Sequence, residues 1–370
     1  MQRESRDGDS LVCFGKKCLC YVNCLTEIRV IKSRKVQLGR NFMNPYIGHK
    51  SQLYGIEEHR LVGGRGDGMR LLEINNGKGM QLTVTPDRAC DISRLRFKGI
   101  NMSYMSACGY VAPTYYDNVA SNWLKSFTAG FLTTCGLEAV GSPCVDEGVS
   151  YPLHGSIAHI PCEHTYWLEE EGQLVVRGVI KDECLGVSRR KLVLTRTLVI
   201  SLEKNEFEII DTIENTGHNV EAMEILYHMN MGYPLLDEES IIKIPSTEVL
   251  PRDQHAAEDI ENWMNMEKPT AGIDERCYYH KYADGNGYAS IYQPKLNVGL
   301  EISFNASELD GFVEWKMMGV RDYVLGLECG NCYPDGRGEM RRQGMLKFLQ
   351  PGEKKTYRVK VSMLENTMDK

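Results

Sequence analysis

The absences in this sequence narrow its class. No apolar run reaches the roughly eighteen residues a membrane-spanning helix needs, so no segment reads as a membrane span. Lys16-Lys17 followed by residues 18 to 25 imitates a signal peptide, but Asn23 and three thiols interrupt the apolar core and no small-residue cleavage site follows. A basic excess is missing too. Lys and Arg total 43 against 50 Asp and Glu, a net charge of -7 with no basic stripe, which argues against nucleic acid as a partner. The Gly63-Gly64-Arg65-Gly66-Asp67-Gly68 stretch lacks the Gly-Lys-Ser/Thr ending and following helix of a phosphate cradle and reads as a solvent loop. No fixed-period repeat is present, which disfavours a propeller or solenoid.

Cysteine is abundant, but the pattern of a disulfide framework is absent. The 13 Cys are odd in number and scattered through hydrophobic segments, as expected of buried thiols in a reducing, cytoplasmic setting. Cys13, Cys18, Cys20 and Cys24 lack the paired spacing of a structural zinc site and have no His nearby. His154, His159 and His164 recur every five residues, which matches neither one helix face nor alternate strand positions. No metal and no cofactor is therefore expected.

What is present is strand after strand. The chain has 370 residues, 42% hydrophobic and 25% charged, ordinary globular values. Residues 1–30 show little periodicity and read as a disordered or loosely attached leader, leaving 31–370 as a single domain. Strands are predicted at 80–85, 173–180, 189–201, 206–214, 221–230, 288–293, 298–304, 312–317, 322–328, 345–349 and 357–363, separated by turn formers such as Asn215-Thr216-Gly217 and Pro351-Gly352. The last two read as a hairpin or sheet corner. Hairpin spacing means antiparallel sheet, because parallel neighbours need crossovers of about a dozen residues. Only 117–127 and 255–267 look helical. An all-β fold, one large two-sheet sandwich, accounts for the pattern.

Two strands carry candidate chemistry. In 223–231, Met223, Ile225, Tyr227, Met229 and Met231 alternate on one side, so Glu224, His228 and Asn230 share the other, with Leu226 the one apolar interruption. A Met and aliphatic face can anchor such a strand in a core and leave the imidazole and carboxamide to floor a cleft, although a lone strand His is more often a core or edge residue. In 323–330, Glu328 lies opposite Tyr323, Leu325, Leu327 and Cys329 and is flanked on its own face by Gly326 and Gly330. Glycine weakens a strand interior and needs a reason, and a carboxylate kept free of same-face side chains is one. Arg88, at the end of the 80–85 strand, could fork to a sugar hydroxyl or carboxylate, or pair with Asp87 or Asp91. Gly155 lets a ligand or a second backbone approach His154. Arg337, Arg341 and Arg342 could contact phosphate or form a solvated basic turn.

His154 in Leu-His-Gly, His228 in Tyr-His-Met-Asn-Met-Gly-Tyr-Pro-Leu-Leu, Glu328 in Leu-Gly-Leu-Glu-Cys-Gly-Asn-Cys, the closing Leu349-Gln350-Pro351-Gly352-Glu353 and Pro86-Asp87-Arg88-Ala89-Cys90-Asp91-Ile92 together resemble the aldose 1-epimerase (galactose mutarotase) superfamily, and within it the domain-of-unknown-function 4432 branch. The resemblance covers about residue 38 to the C-terminus. It implies a galactose-mutarotase-like supersandwich and a cofactor-independent isomerase that interconverts the α and β anomers of an aldose. It also implies roles: Glu328 as the base at the anomeric hydroxyl, His228 as the acid at the ring oxygen, and His154 and Arg88 as residues that hold hydroxyls; Asn230, on the His228 face, is a further substrate-binding candidate. Asp274 is the candidate for the acidic sugar-binding residue of better-known mutarotases. The alternatives are a carbohydrate-binding or regulatory protein without turnover, and a phosphosugar epimerase. The expected partner is a small-molecule sugar; the oligomeric state is open.

Overall fold

In this computed structural model, residues 45–186 and 190–365 are described; the proposed leader and its four cysteines lie outside them. The alternating stretches form antiparallel sheets, as their period demands. Lys191–Ser201 and Glu206–Asn215 alternate buried and half-buried along their whole length, turning Leu192, Leu194, Leu198 and Ile200 toward the core with Phe207, Ile209 and Ile213. They lie in an eight-stranded sheet ordered His164–Glu170, Gln173–Glu183, Lys191–Ser201, Glu206–Asn215, Lys354–Leu364, Val298–Asn305, Asn286–Gln293, Ile241–Lys243.

A six-stranded sheet runs Glu248–Pro251, Arg276–Lys281, Gly311–Met318, Tyr323–Gly330, Glu224–Met231, Leu132–Leu137. A five-stranded meander, Gly55–Arg60, Arg70–Asn75, Met80–Thr85, Asp91–Phe97 and Ile100–Asn101, completes the large sheets. One hydrophobic core draws on all three; the odd-numbered residues Met223 to Met231 lie in it. A second apolar cluster covers the other face of the six-stranded sheet and contains Leu226, so the apolar interruption marks a strand buried on both faces. This is the all-β architecture of packed antiparallel sheets that the alternation implies.

Where three sheets meet, Arg196 occupies an inward position of its strand with no exposure. Its guanidinium makes a two-pronged contact with Asp211 (2.9 and 2.6 Å) and reaches Asp91 (2.7 Å) and Thr134 Oγ1 (2.8 Å). Asp211 belongs to the eight-stranded sheet, Asp91 to the meander and Thr134 to the six-stranded sheet, so one cation ties all three. Removing Arg196 would strand buried carboxylates, a loss of about 3–5 kcal/mol.

Several local expectations are corrected. Residues 255–267 form a four-residue helix, Gln254–Ala257, and a single 3-10 turn, Ile260–Asn262, because this 24-residue excursion is held by outside groups rather than by its own ladder. Lys316 Nζ, buried beneath it, donates to the carbonyls of Asn262 (3.3 Å) and Asn265 (2.7 Å). Within 117–127 the helical part is a 3-10 segment, Ala120–Ser126. Of the two alternatives for the last two strands the corner is the one found: Phe348–Leu349 pairs with Glu221–Ala222, whereas Lys354–Leu364 joins the eight-stranded sheet. The strand predicted at 221–230 breaks at Met223, whose N–H bonds Lys347 instead. Among the described residues no helix is long and apolar enough to cross a membrane.

Candidate active site

Antiparallel pairing puts His228 directly opposite Glu328. Residues paired across two strands project from the same face, so both side chains point away from the main core and into the second layer. His228 Nδ1 stands 3.3 Å from Glu328 Oε1, and neither atom has a hydrogen-bond partner. Gly326 explains this approach. A Cβ there would lie 2.4 Å from Glu328 Oε1 and 3.0 Å from Trp315 Cβ, so the missing side chain leaves the space in which the carboxyl lies. Gly330 serves packing instead, since Leu226 Cδ1 and the Ile225 carbonyl fill its surroundings.

The pair floors a cleft of about 470 Å³. Its walls come from the 3-10 segment Ala120–Ser126 and its cap, the His154 turn and the Gly311–Met318 strand. Phe127, His154 and Trp315 surround the His228 ring at centroid distances of 5.5, 5.6 and 5.1 Å, and Trp123 packs on His154 at 4.9 Å. Trp315 is held by its indole N–H, which donates to Glu275 Oε2 (2.7 Å); Glu275 Oε1 accepts from Arg252 (2.9 Å). Arg252 and Glu275 stand at the two ends of the 24-residue excursion and both line the cleft, as does Asp322.

His154 adopts a left-handed conformation, φ 57°, followed by Gly155 at φ 69°. The turn is fixed by its backbone: His154 N–H donates to Gly141 O and its carbonyl accepts from Gly136 N–H, both at 3.0 Å. A Cβ on Gly155 would lie 2.4 Å from Gly136 O, so the glycine admits a second backbone rather than a ligand. Gly141 N–H donates to His154 Nδ1 (3.3 Å), which leaves the imidazole proton on Nε2.

Electrostatics favour an uncharged site. Burial pushes the Glu328 carboxyl well above the usual carboxylate range, Glu275 adding to the effect and Arg252 opposing it. Burial pushes His228 well below the usual imidazole value, with His154 reinforcing and Asn230 opposing the shift. His154 is lowered to about 4 by burial. Both shifts favour the uncharged form of each group, a protonated carboxyl beside a neutral imidazole.

The family model for the domain of unknown function 4432 matches residues 66–363. The chain belongs to this family. Solved structures similar to this DUF4432 chain include a candidate aldose 1-epimerase from Klebsiella pneumoniae, at 24% identity and TM-score 0.79, covering 85% of this chain and 86% of that one. A galactose mutarotase-like protein from Clostridium acetobutylicum has 13% identity and TM-score 0.61, covering 85% and 99%. Galactose 1-epimerase from Lactobacillus acidophilus has 13% identity and TM-score 0.55, covering 84% and 99%. At these identities the likeness shows the fold. The sequence has no significant match among curated proteins.

Of the six residues singled out in the DUF4432 sequence, the structure gathers Glu328, His228 and His154 in the cleft and places three elsewhere. Arg88 is buried behind the wall: Nη1 donates to the carbonyls of Val111 (2.9 Å) and Ser126 (3.1 Å), and Nη2 lies 3.1 Å from His159 Nε2. The turn that carries it is covered, so its donors are engaged by protein. Asn230 is also fully buried; its Nδ2 donates to the His228 carbonyl (3.0 Å), so it supports the strand rather than lining the cleft. Asp274 is exposed and lies outside the cleft, one position from the lining residue Glu275. Glu224, on the His228 face but at the far end of the strand, accepts from Val140 N–H (3.0 Å).

The arginines of the 337–342 helix do not line the cleft. Arg337 and Arg341 both bind Asp146 (2.8 and 2.7 Å), and Arg342 pairs with Glu339. Arg252, Glu275, Trp123, Phe127 and Trp315 were missed as site residues. The available signals were two Trp in polar surroundings and an acid two residues ahead of Cys277, which shares the site face.

Proposed function

We propose that this protein is a cofactor-independent aldose 1-epimerase-like isomerase, with a small-molecule sugar as its ligand. The observation that carries the reading is the His228–Glu328 pair, 3.3 Å apart on adjacent strands, buried and without other partners at that contact. Two such groups in a cleft of monosaccharide-accommodating size suit proton transfer at two oxygens of one ring. In the ring-closed complex Glu328 is the carboxylate and His228 the imidazolium. Glu328 takes the anomeric hydroxyl proton as His228 protonates the ring oxygen, and the C1–O5 bond breaks to give the aldehyde. The pair is then carboxyl and neutral imidazole, the arrangement burial favours in the empty cleft. Rotation about C1–C2 and the reverse transfers give the other anomer.

Each turnover thus returns the proton it used, and no exchange with solvent is needed. In this reading the cleft-lining His154, through its Nε2–H, Arg252, Glu275 and Asp322 bind hydroxyls, and Trp315 and Phe127 face the apolar side of the sugar. A phosphosugar fits less well: Arg252 is the one Lys or Arg lining the cleft among the described residues, and it already binds Glu275 and Asp253. The test is a screen of freshly dissolved single anomers, neutral and phosphorylated, by polarimetry or proton NMR. Acceleration over spontaneous mutarotation for a neutral aldose is expected. If sugars bind but interconvert only at the spontaneous rate, the protein would be a carbohydrate-binding or regulatory one.

A further inference from the structure

Cys90 and Cys162 lie outside the cleft, and the mechanism uses neither. Cys90 ends the 86–90 turn before the meander strand Asp91–Phe97, and Cys162 precedes the edge strand His164–Glu170 of the eight-stranded sheet. Their Sγ atoms are 3.1 Å apart, the only sulfur–sulfur contact of this kind among the described residues. The contact is built in. Gly178, on the neighbouring strand, would carry a Cβ 2.6 Å from Cys90 Sγ and 2.8 Å from Cys162 Sγ, so both sulfurs occupy room that the glycine provides. The two backbones are already pinned together: Ala89 N–H donates to Ile160 O (3.1 Å) and Cys162 N–H to Pro86 O (2.9 Å).

We propose that Cys90 and Cys162 are a redox-active dithiol that a small peroxide converts to a disulfide, stapling the five-stranded meander to the edge of the eight-stranded sheet. The sulfurs need to close by about 1 Å to reach a bond of about 2.05 Å. The Cys162 thiolate attacks one oxygen of hydrogen peroxide and breaks the O–O bond, giving a sulfenic acid and hydroxide, which the proton released on forming the thiolate converts to water. The Cys90 sulfur then displaces hydroxide from the sulfenic acid and its proton completes a second water, so two thiols and one peroxide give one disulfide and two waters. Cys162 is the attacking group because it is the more exposed, 5% against 1%. The contact with Cys90 lowers its pKa against the opposing effect of burial, with Thr165 and Arg196 assisting. A crosslink spanning 72 residues confines the unfolded chain and should raise stability.

The experiment treats the full chain with hydrogen peroxide, then denatures, alkylates and maps it by mass spectrometry, with thermal melts before and after dithiothreitol. The expected result is a Cys90–Cys162-linked peptide about 2 Da lighter than its reduced parts and a Tm higher by about 5 °C or more in the oxidised form, reversed by reductant. Cys90→Ser and Cys162→Ser should each abolish both changes. Full alkylation of both cysteines after peroxide, sulfinic acid at Cys162 without a crosslink, or a crosslinked protein with an unchanged or lower Tm would each overturn the proposal. The wild-type comparison decides the matter even where a serine variant folds poorly.

Discussion

Glu328→Gln isolates proton acceptance from shape. The carboxyl is 2% exposed, its Oε1 has no hydrogen-bond partner and burial holds it uncharged, so a neutral amide of nearly equal volume replaces a neutral acid. Folding should change by no more than the ~1 kcal/mol of one altered polar contact. Turnover is another matter. A positioned acid or base contributes about 10²- to 10⁴-fold, or roughly 3–5 kcal/mol of barrier. Because the His228–Glu328 pair shares a single proton, Gln removes both the base of ring opening and the acid of ring closure. His228→Asn should lose a similar factor, and the double variant little more, since groups acting in one step are not additive. The assay is the initial rate of anomer interconversion by polarimetry, alongside sugar affinity and a thermal melt. Near-wild-type turnover in Glu328→Gln would refute the mechanism, and a large fall in Tm with lost sugar binding would show that Glu328 is structural.

Arg88→Ala should cost about 3 kcal/mol or more of stability, seen by chemical denaturation, because two buried carbonyls lose a charged donor; unchanged stability with weaker sugar binding would return Arg88 to the cleft. Glu275→Gln, which removes the Arg252 ion pair while keeping an acceptor for Trp315, should raise KM about tenfold with kcat within a few-fold; an equal fall in kcat would give Glu275 a chemical role. Burial raises the Glu224 carboxyl to about 7. Its contribution to stability is therefore full below the unfolded value near 4.5 and lost as pH rises through about 7. Glu224→Gln should flatten the pH dependence of unfolding free energy by up to ~1.4 kcal/mol per pH unit in that window; parallel curves would contradict the shift. Deleting residues 1–30 should leave folded, active protein, since the cleft residues run from Tyr104 to Pro334; an insoluble product would make that segment part of the sandwich.

Much of the fold was legible because the strands of the eight-stranded sheet alternate cleanly, and period two is a local signal. The cleft was legible where it sits on such strands: the parity that put Met229 in the core also put His228 opposite it. Legibility failed where side-chain direction depends on something other than period. Asp274 and Glu275 precede the first ladder residue, Arg276, and a boundary misplaced by one residue exchanges the outward and inward acid. Arg88 ends a strand in a turn, the usual place for an exposed functional residue. This turn is covered by the 160–162 segment, a contact between residues about 70 positions apart that no local pattern records. Trp123 lies on a 3-10 segment whose period matches neither template and Phe127 caps it, so their shared direction was invisible although their bulk was not.

The pairing of His228 with Glu328 is a matter of register. A slip of one residue would turn one of the two side chains into the main core. Hydrophobic parity excludes odd slips on both strands but permits a shift by two, which would set His228 opposite Gly326 or Gly330. A side chain closes that loophole. Asn331, fully buried just beyond the Glu328 strand, accepts from Ile225 N–H through Oδ1 (2.8 Å), and its Nδ2 donates to the Met223 carbonyl (3.1 Å), while its backbone N–H donates to Ile225 O (3.0 Å). It binds both polar groups of Ile225 and one of Met223 as a further ladder residue would, and it can do so at one register only. A two-residue shift would leave these buried donors and acceptors unpaired, about 1–3 kcal/mol each, which is ample to select a single alignment. The 3.3 Å approach of His228 to Glu328 is therefore set by an amide three positions beyond the carboxyl.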